Sequence, residues 1–222
     1  MSRPNCLIVC SASLEGVSAQ SFIHSHTLTS SAFNVQIATP EGQPIRYVRQ
    51  DDGSRRWLND FKGKPSSQPT RLESIDASVY SALLIPSAPG ALRDLAKSQH
   101  LGWIINSFMT EEKCICAVGG GVAGLCSSLS KGNGSHVWCF KNVCLTGPSV
   151  NEVVSQPDFT ELPIIIEDFL KDHEAVYSAS QPDCVHVVID RNVITGQNDQ
   201  STLSAVQNLI LLSNSSRQGK PR

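Results

Sequence analysis

Short apolar runs alternate with amphipathic stretches along most of the chain. Cys6–Cys10 (CLIVC) is continuously apolar, the pattern of a strand buried on both faces. After the polar turn Ser11–Ser13, Glu15 opens a segment reaching Ser31, with Val17, Phe22, Ile23 and Leu28 at roughly helical spacing. Asn34–Thr39 reads as a second strand, closed by Pro40-Glu41-Gly42. Val79–Pro86 reads as a third, followed by the sharp loop Ser87-Ala88-Pro89-Gly90 and helices over 91–98 and 101–110. Cys114–Val118 is the next strand; it stops at Gly119-Gly120-Gly121 and passes into a helix over Val122–Leu129.

Beyond a Gly-, Asn- and Ser-rich loop at 131–135, the pattern predicts one or two short strands within 137–145 and a short helix around Glu152. An apolar segment covers 162–172. Strands follow at 175–178 and 185–189, and Asp190-Arg191-Asn192 turns a hairpin into Val193-Ile194-Thr195. Ser201 caps a last amphipathic helix that turns Val206, Leu209, Ile210 and Leu212 inward. This alternation predicts an α/β fold, a flavodoxin-like three-layer sandwich whose mostly parallel sheet carries helices on both faces. One domain is expected over 1–212, with 213–222 as a disordered polar tail.

The least regular region is 43–73. Ile45–Val48 suggests a short strand and Asp51-Asp52-Gly53 a turn. Arg55, Arg56, Lys62, Lys64 and Arg71 gather there, with Trp57 and Phe61 four apart. Two readings stand: a solvated loop carrying one short amphipathic helix, or an excursion that binds a partner or RNA.

Composition narrows the class. A chain of 222 residues, 40% hydrophobic and 17% charged, can bury a sizeable single core. Its formal charge of -2 gives no global positive field, so RNA contact would need a local basic patch or a partner. None of the eight cysteines forms a C-x-x-C pair, and they read as buried free thiols of a reducing compartment. The first apolar run is too short for a signal core, and no stretch approaches the roughly 20 apolar residues of a membrane span. A soluble intracellular protein is expected. His24 and His26, two apart, do not share a helix face, and His186 reads as a satisfied core histidine. No side-chain set has metal spacing, and no cofactor is expected. Cys116 and Cys126 flank the glycine elbow, but one sits mid-strand and the other about two turns into a helix, so both read as packing residues.

Several motifs fall in a telling order. They are Ile85-Pro86-x-x-Pro89-Gly90-Ala91-Leu92-Arg93-Asp94-Leu95, then Ala117-Val118-Gly119-Gly120-Gly121-Val122-Ala123, then Leu145-Thr146-Gly147 with Asn151-Glu152. Leu162-Pro163 with Glu167-Asp168 follows, and last Asp190-Arg191-Asn192-Val193-Ile194-Thr195-Gly196-Gln197-Asn198. From about residue 6 to residue 212 the chain resembles the ThiJ/PfpI superfamily of class I glutamine amidotransferase-like proteins, which includes the Parkinson-disease protein seven; the Hsp-thirty-one-like branch is nearest.

The resemblance implies a nucleophile elbow reading Cys-His-Gly, where this chain has Gly119, Gly120 and Gly121. It implies a Pro-Gly-Gly loop beside the elbow, where this chain has Pro86, Ser87 and Ala88. It implies a pocket glutamate at the start of the first helix, for which Glu15 is the nearest candidate. No third triad acid is placed; Glu152 lies nearest. A preserved turn with its nucleophile and histidine gone reads as a retired catalytic site. For a member of this kind the resemblance implies a non-enzymatic subunit of the FERRY complex, an effector of the early-endosomal Rab GTPase that carries messenger RNA on endosomes. It also implies a homodimer or higher assembly in the cytoplasm and on early endosomes. The alternatives are a glyoxalase-, deglycase- or peptidase-like hydrolase working through Glu15 and backbone donors, or a small-metabolite sensor.

Overall fold

A computed structural model describes residues 3–131 and 136–218 of the chain. The apolar runs become the middle of a seven-stranded sheet. Its strands are β1 (Asn5–Val9), β2 (Asn34–Thr39), β3 (Thr70–Arg71), β4 (Ala82–Ile85), β5 (Cys114–Val118), β6 (Val187–Asp190) and β7 (Val193–Gly196). Their spatial order is β6-β7-β5-β4-β1-β2-β3, parallel except for the β6–β7 hairpin. The register aligns Leu7, Leu83, Ile115 and Val193 in one row across four strands, each almost fully buried. Each such side chain contributes about 1.5–3 kcal/mol by leaving water.

The helices are α1 (Ala19–Ala32), α2 (Asp52–Lys62), α3 (Gln99–Thr110), α4 (Val150–Val153), α5 (Ile166–Asp172) and α6 (Thr202–Gln218). The chain steps from β1 through α1 to β2 in one direction and from β4 through α3 to β5 in the other. Right-handed crossovers therefore put α1 and α3 on opposite faces. α6 packs beside α1. Travel reverses at β1, so the crevice outside the carboxyl ends of β1, β4 and β5 is where such a sheet holds ligands. Among the described residues, no helix is long and apolar enough to cross a membrane.

Several elements differ from expectation. The helix expected from Glu15 begins at Ala19, because Val17–Ser18 pairs with Tyr47–Val48 and the Ser18 hydroxyl caps Ser21 N–H. The helix expected over 91–98 is two 3-10 turns, Pro89–Leu92 and Leu95–Lys97. Asp94 interrupts them: its carboxylate accepts Ser11 Oγ at 3.0 Å, Ala12 N–H at 2.8 Å and Leu95 N–H at 2.7 Å. The segment expected as helix 122–129 is a 3-10 stretch starting at Gly119 and ending at Ser128. The Asp51 turn is a helix start, a capping box with Ser54 opening α2, and that helix bears out the amphipathic-helix reading of the basic region. The boundary placed at 212 falls inside α6: Ser213, only 3% exposed, continues the stripe of Val206 and Leu209. Residues 219–222 of the expected tail and 132–135 of the expected loop lie outside the described residues.

Candidate functional site

β5 ends at Val118 and the backbone turns at Gly119 with φ +51°, the left-handed region that favours glycine. A β-carbon at Gly119 would lie 2.9 Å from Ser87 Cβ and closer still to the Ser87 hydroxyl oxygen. At Gly120 it would lie 2.5 Å from the Ala88 carbonyl oxygen, and at Gly121 it would run into the Pro86 carbonyl. The loop 86–88 therefore lies directly on the elbow, and Ser87 fills the space a side chain at 119 would need.

That loop is held from two sides. Ser18 N–H donates to the Ser87 carbonyl at 2.9 Å. Ser87 N–H donates to Ser21 Oγ at 3.0 Å, and Ser21 Oγ pairs with Thr202 Oγ1 at 2.9 Å. Ser87 is 4% exposed, and its own hydroxyl has no hydrogen-bond partner among the described residues.

A cleft of about 1160 Å³ opens over the elbow. Glu15, Ser18, Ser87, Gly119 and Gly120 line it, whereas Ala88 and Gly121 lie beneath its surface. The far walls come from 151–153, 155–158, 162–166 and 197–200. Asp199 takes the Ser18 hydroxyl at 2.7 Å and an ion pair from Arg49 at 3.2 Å. Asn198 Nδ2 donates to Glu152 Oε1 at 2.9 Å and to the Cys184 carbonyl at 2.8 Å.

Glu15 is an exposed residue in the turn before Val17, not on the first helix. It accepts the Ser13 hydroxyl and pairs with Arg93 Nε at 3.3 Å. The Ser13 hydrogen bond, and with it Arg93, holds this carboxyl below the ordinary carboxylate range. A general base working near neutrality needs the opposite shift. The residue at the head of the first helix, pressed against loop 86–88, is Ser18. The Cys116 and Cys126 thiols are buried; desolvation pushes Cys126 up to about 12 and raises Cys116 strongly as well, so neither forms a thiolate near neutrality. Glu152 stands on the cleft wall, tied to Asn198, Ser149 N–H and Asp183 N–H.

His24 lines the cleft rim. His26 sits in a ring cluster with Phe22, Trp57 and Phe61. His186 is satisfied as expected, by Ser178 Oγ at 3.1 Å and Ser180 Oγ at 2.9 Å, but it is half-buried beside the edge strand and not in the core. Among the described residues no three His, Cys, Asp or Glu side chains gather as a metal site. Arg49, Arg93 and Asp199 also line the site, although no motif marks them as site residues. Asp199 had a signal, since it directly follows the Gly196-Gln197-Asn198 end of β7; Arg49 had none, its partner being 150 residues away.

A doubly wound sheet with a glycine elbow after its central strand defines a DJ-1/ThiJ/PfpI-type sandwich. Solved structures of that class superpose over nearly the whole chain. The Rapid Encystment Protein of Francisella tularensis gives a TM-score of 0.83 at 21% identity, covering 95% of this chain and 99% of that one. Glyoxalase III of Candida albicans gives 0.78 at 17%, covering 94% and 97%. Drosophila melanogaster DJ-1beta gives 0.58 at 15%, covering both chains fully. At these identities the likeness is one of fold. No family model matches the chain.

Sequence relatives carry the finer assignment. Glutamine amidotransferase-like class 1 domain-containing protein 1 of Xenopus laevis is 56% identical over 214 residues, 96% of this chain and 92% of its own length. The Homo sapiens protein of that name is 53% identical over 210 residues, 95% and 94%. The chain belongs to the glutamine amidotransferase-like class 1 domain-containing protein 1 family.

Proposed function

We propose that the chain is a non-catalytic subunit of the FERRY early-endosomal Rab effector complex, supporting messenger RNA localisation and transport on endosomes. The observation that carries the non-catalytic part is the filled elbow: Ser87 occupies the space over Gly119 that a nucleophile's stem would require. Glu15, exposed and drawn to lower pKa, makes a poor substitute base, and the flanking thiols are held protonated.

The assembly part rests on the resemblance read from the sequence, narrowed by relatives matched over nearly their full length. In this reading the other FERRY subunits are the direct partners, and the Rab GTPase and messenger RNA are reached through them. A net charge of -2 fits RNA being held elsewhere in the complex. The chain acts as a homodimer or higher assembly, in the cytoplasm and on early endosomes, without inserting into the membrane.

Two measurements test this. Endogenous protein should co-purify with large subunits and sediment far above its own 24.0 kDa; sedimentation in lysate as a lone monomer or dimer overturns the assembly. Purified protein should leave methylglyoxal and thioesters unchanged; turnover that Glu15→Gln abolishes overturns the non-catalytic assignment.

A further inference from the structure

We propose that the cleft over the filled elbow is a peptide-docking groove whose occupant is an extended, lysine- or arginine-bearing segment of a partner subunit. The identity of that partner as a subunit rests on the assembly reading above; the groove itself is argued from its own chemistry.

Charge comes first. Of the two arginines lining the cleft, Arg93 is engaged by Glu15 and Arg49 by Asp199. Glu152, Asp158 and Asp183 remain on the lining with no cation paired to them among the described residues. Their other contacts are neutral: Glu152 holds Asn198, and Asp183 holds Gln200 at 3.4 Å. The groove therefore presents uncompensated negative charge, which repels nucleic acid and anionic membrane and favours a cationic segment.

Shape and floor come next. The cleft's roughly 1160 Å³ exceeds the 300–1,000 Å³ typical of small-molecule pockets. The space over Gly119 is already filled by Ser87. The lining includes the apolar side chains of Ile164, Ile165 and Leu203, the last 43% exposed. A lining that mixes apolar and acidic side chains suits an extended segment in which apolar and cationic side chains alternate.

The floor of the cleft also offers a hydrogen-bond donor. Ser87 lines this cleft, and its hydroxyl has no hydrogen-bond partner among the described residues. That hydroxyl is a free donor at the cleft, and a peptide carbonyl laid over the elbow would accept from it.

The test uses the full chain and a fluorescein-labelled probe, Gly-Lys-Leu-Lys-Leu-Lys-Gly, read by anisotropy against a counterpart with Glu in place of each Lys. The lysine probe should bind and the glutamate probe should not. Asp158→Asn with Asp183→Asn, isosteric and at exposed positions, should weaken the lysine probe by about two- to tenfold, as expected for exposed charges. Ser87→Ala should weaken both the parent probe and a leucine-only version. A photo-reactive lysine probe should label residues 162–166. Equal binding of the two charged probes, indifference to the paired Asp→Asn change, or labelling away from the cleft would each overturn the proposal. If the protein sediments in a large assembly while the lysine probe fails, the groove is refuted and the assembly stands. If it sediments alone yet binds with the stated charge dependence, the groove stands and the assembly falls.

Discussion

Gly119→Cys would put back the side chain that a nucleophile elbow carries. The structure predicts that it will destabilise the protein before any chemistry can be asked of it. Two costs add. The backbone at 119 has φ +51°, where a residue with a β-carbon costs about 1–2 kcal/mol. The new β-carbon also meets Ser87 Cβ at 2.9 Å and the hydroxyl more closely, and forcing such overlap in a packed site costs about 1–3 kcal/mol. The sum is about 2–5 kcal/mol, a large part of the roughly 5–15 kcal/mol that holds a domain folded. For a chain of this size that lowers the Tm by roughly 4–20 °C. Ser87→Gly removes the second cost and leaves the first. Urea unfolding of the two single variants and the double should therefore give a favourable coupling of about 1–3 kcal/mol. A Gly119→Cys variant that loses less than about 1 kcal/mol, or strict additivity with Ser87→Gly, would refute the steric reasoning.

Three further outcomes follow from named contacts. Ser21→Ala removes the acceptor for Ser87 N–H and should cost about 1–3 kcal/mol in urea unfolding, since that donor is left buried and unpaired; a loss within error would show the loop to be held otherwise. Burial, and after it Lys64, lowers the pKa of His26. The neutral ring is thus favoured in the fold: its stabilisation is complete above the ordinary value of about 6.5 and is lost as pH falls from there through the lowered folded value. Thermal melts across that window should therefore slope less in His26→Gln than in wild type, and identical slopes would contradict the assignment. Asp51→Ala removes the acceptor of Ser54 N–H, one half of the α2 capping box, while the Asp51 N–H to Ser54 Oγ half survives; it should cost about 1 kcal/mol, read as faster amide exchange confined to the first turns of that helix.

Much of the sheet could be read from the chain because its signals are local. Asn34–Thr39 and Cys114–Val118 form as strands with the expected boundaries, each apolar and closed by turn residues. The expected helices failed where side chains had somewhere else to go. Asp94 leaves its helical pattern to bind the 11–13 loop, and Val17–Ser18 is taken by a strand pair with 47–48 that no local rule signals. The site was legible to the same degree. The resemblance implies Glu15, Ser87 and Ala88 beside the glycine elbow; Glu15 and Ser87 line the crevice with Gly119 and Gly120, and Ala88 does not. That Glu15 is turned to Arg93, and that the Ser87 side chain comes to rest over Gly119, are matters of packing between loops 32 residues apart or more, which spacing does not encode.

The close fit of Ser87 to Gly119 also bears on the history of this site. A larger residue at 87 is tolerated only while 119 lacks a side chain, and a side chain at 119 is tolerated only while 87 is small. The two positions act as a ratchet. With Ser87 in place, a side chain at 119 leads through a less stable intermediate unless residue 87 becomes smaller first. No single substitution at 119 therefore installs a side chain at the elbow without a cost in stability.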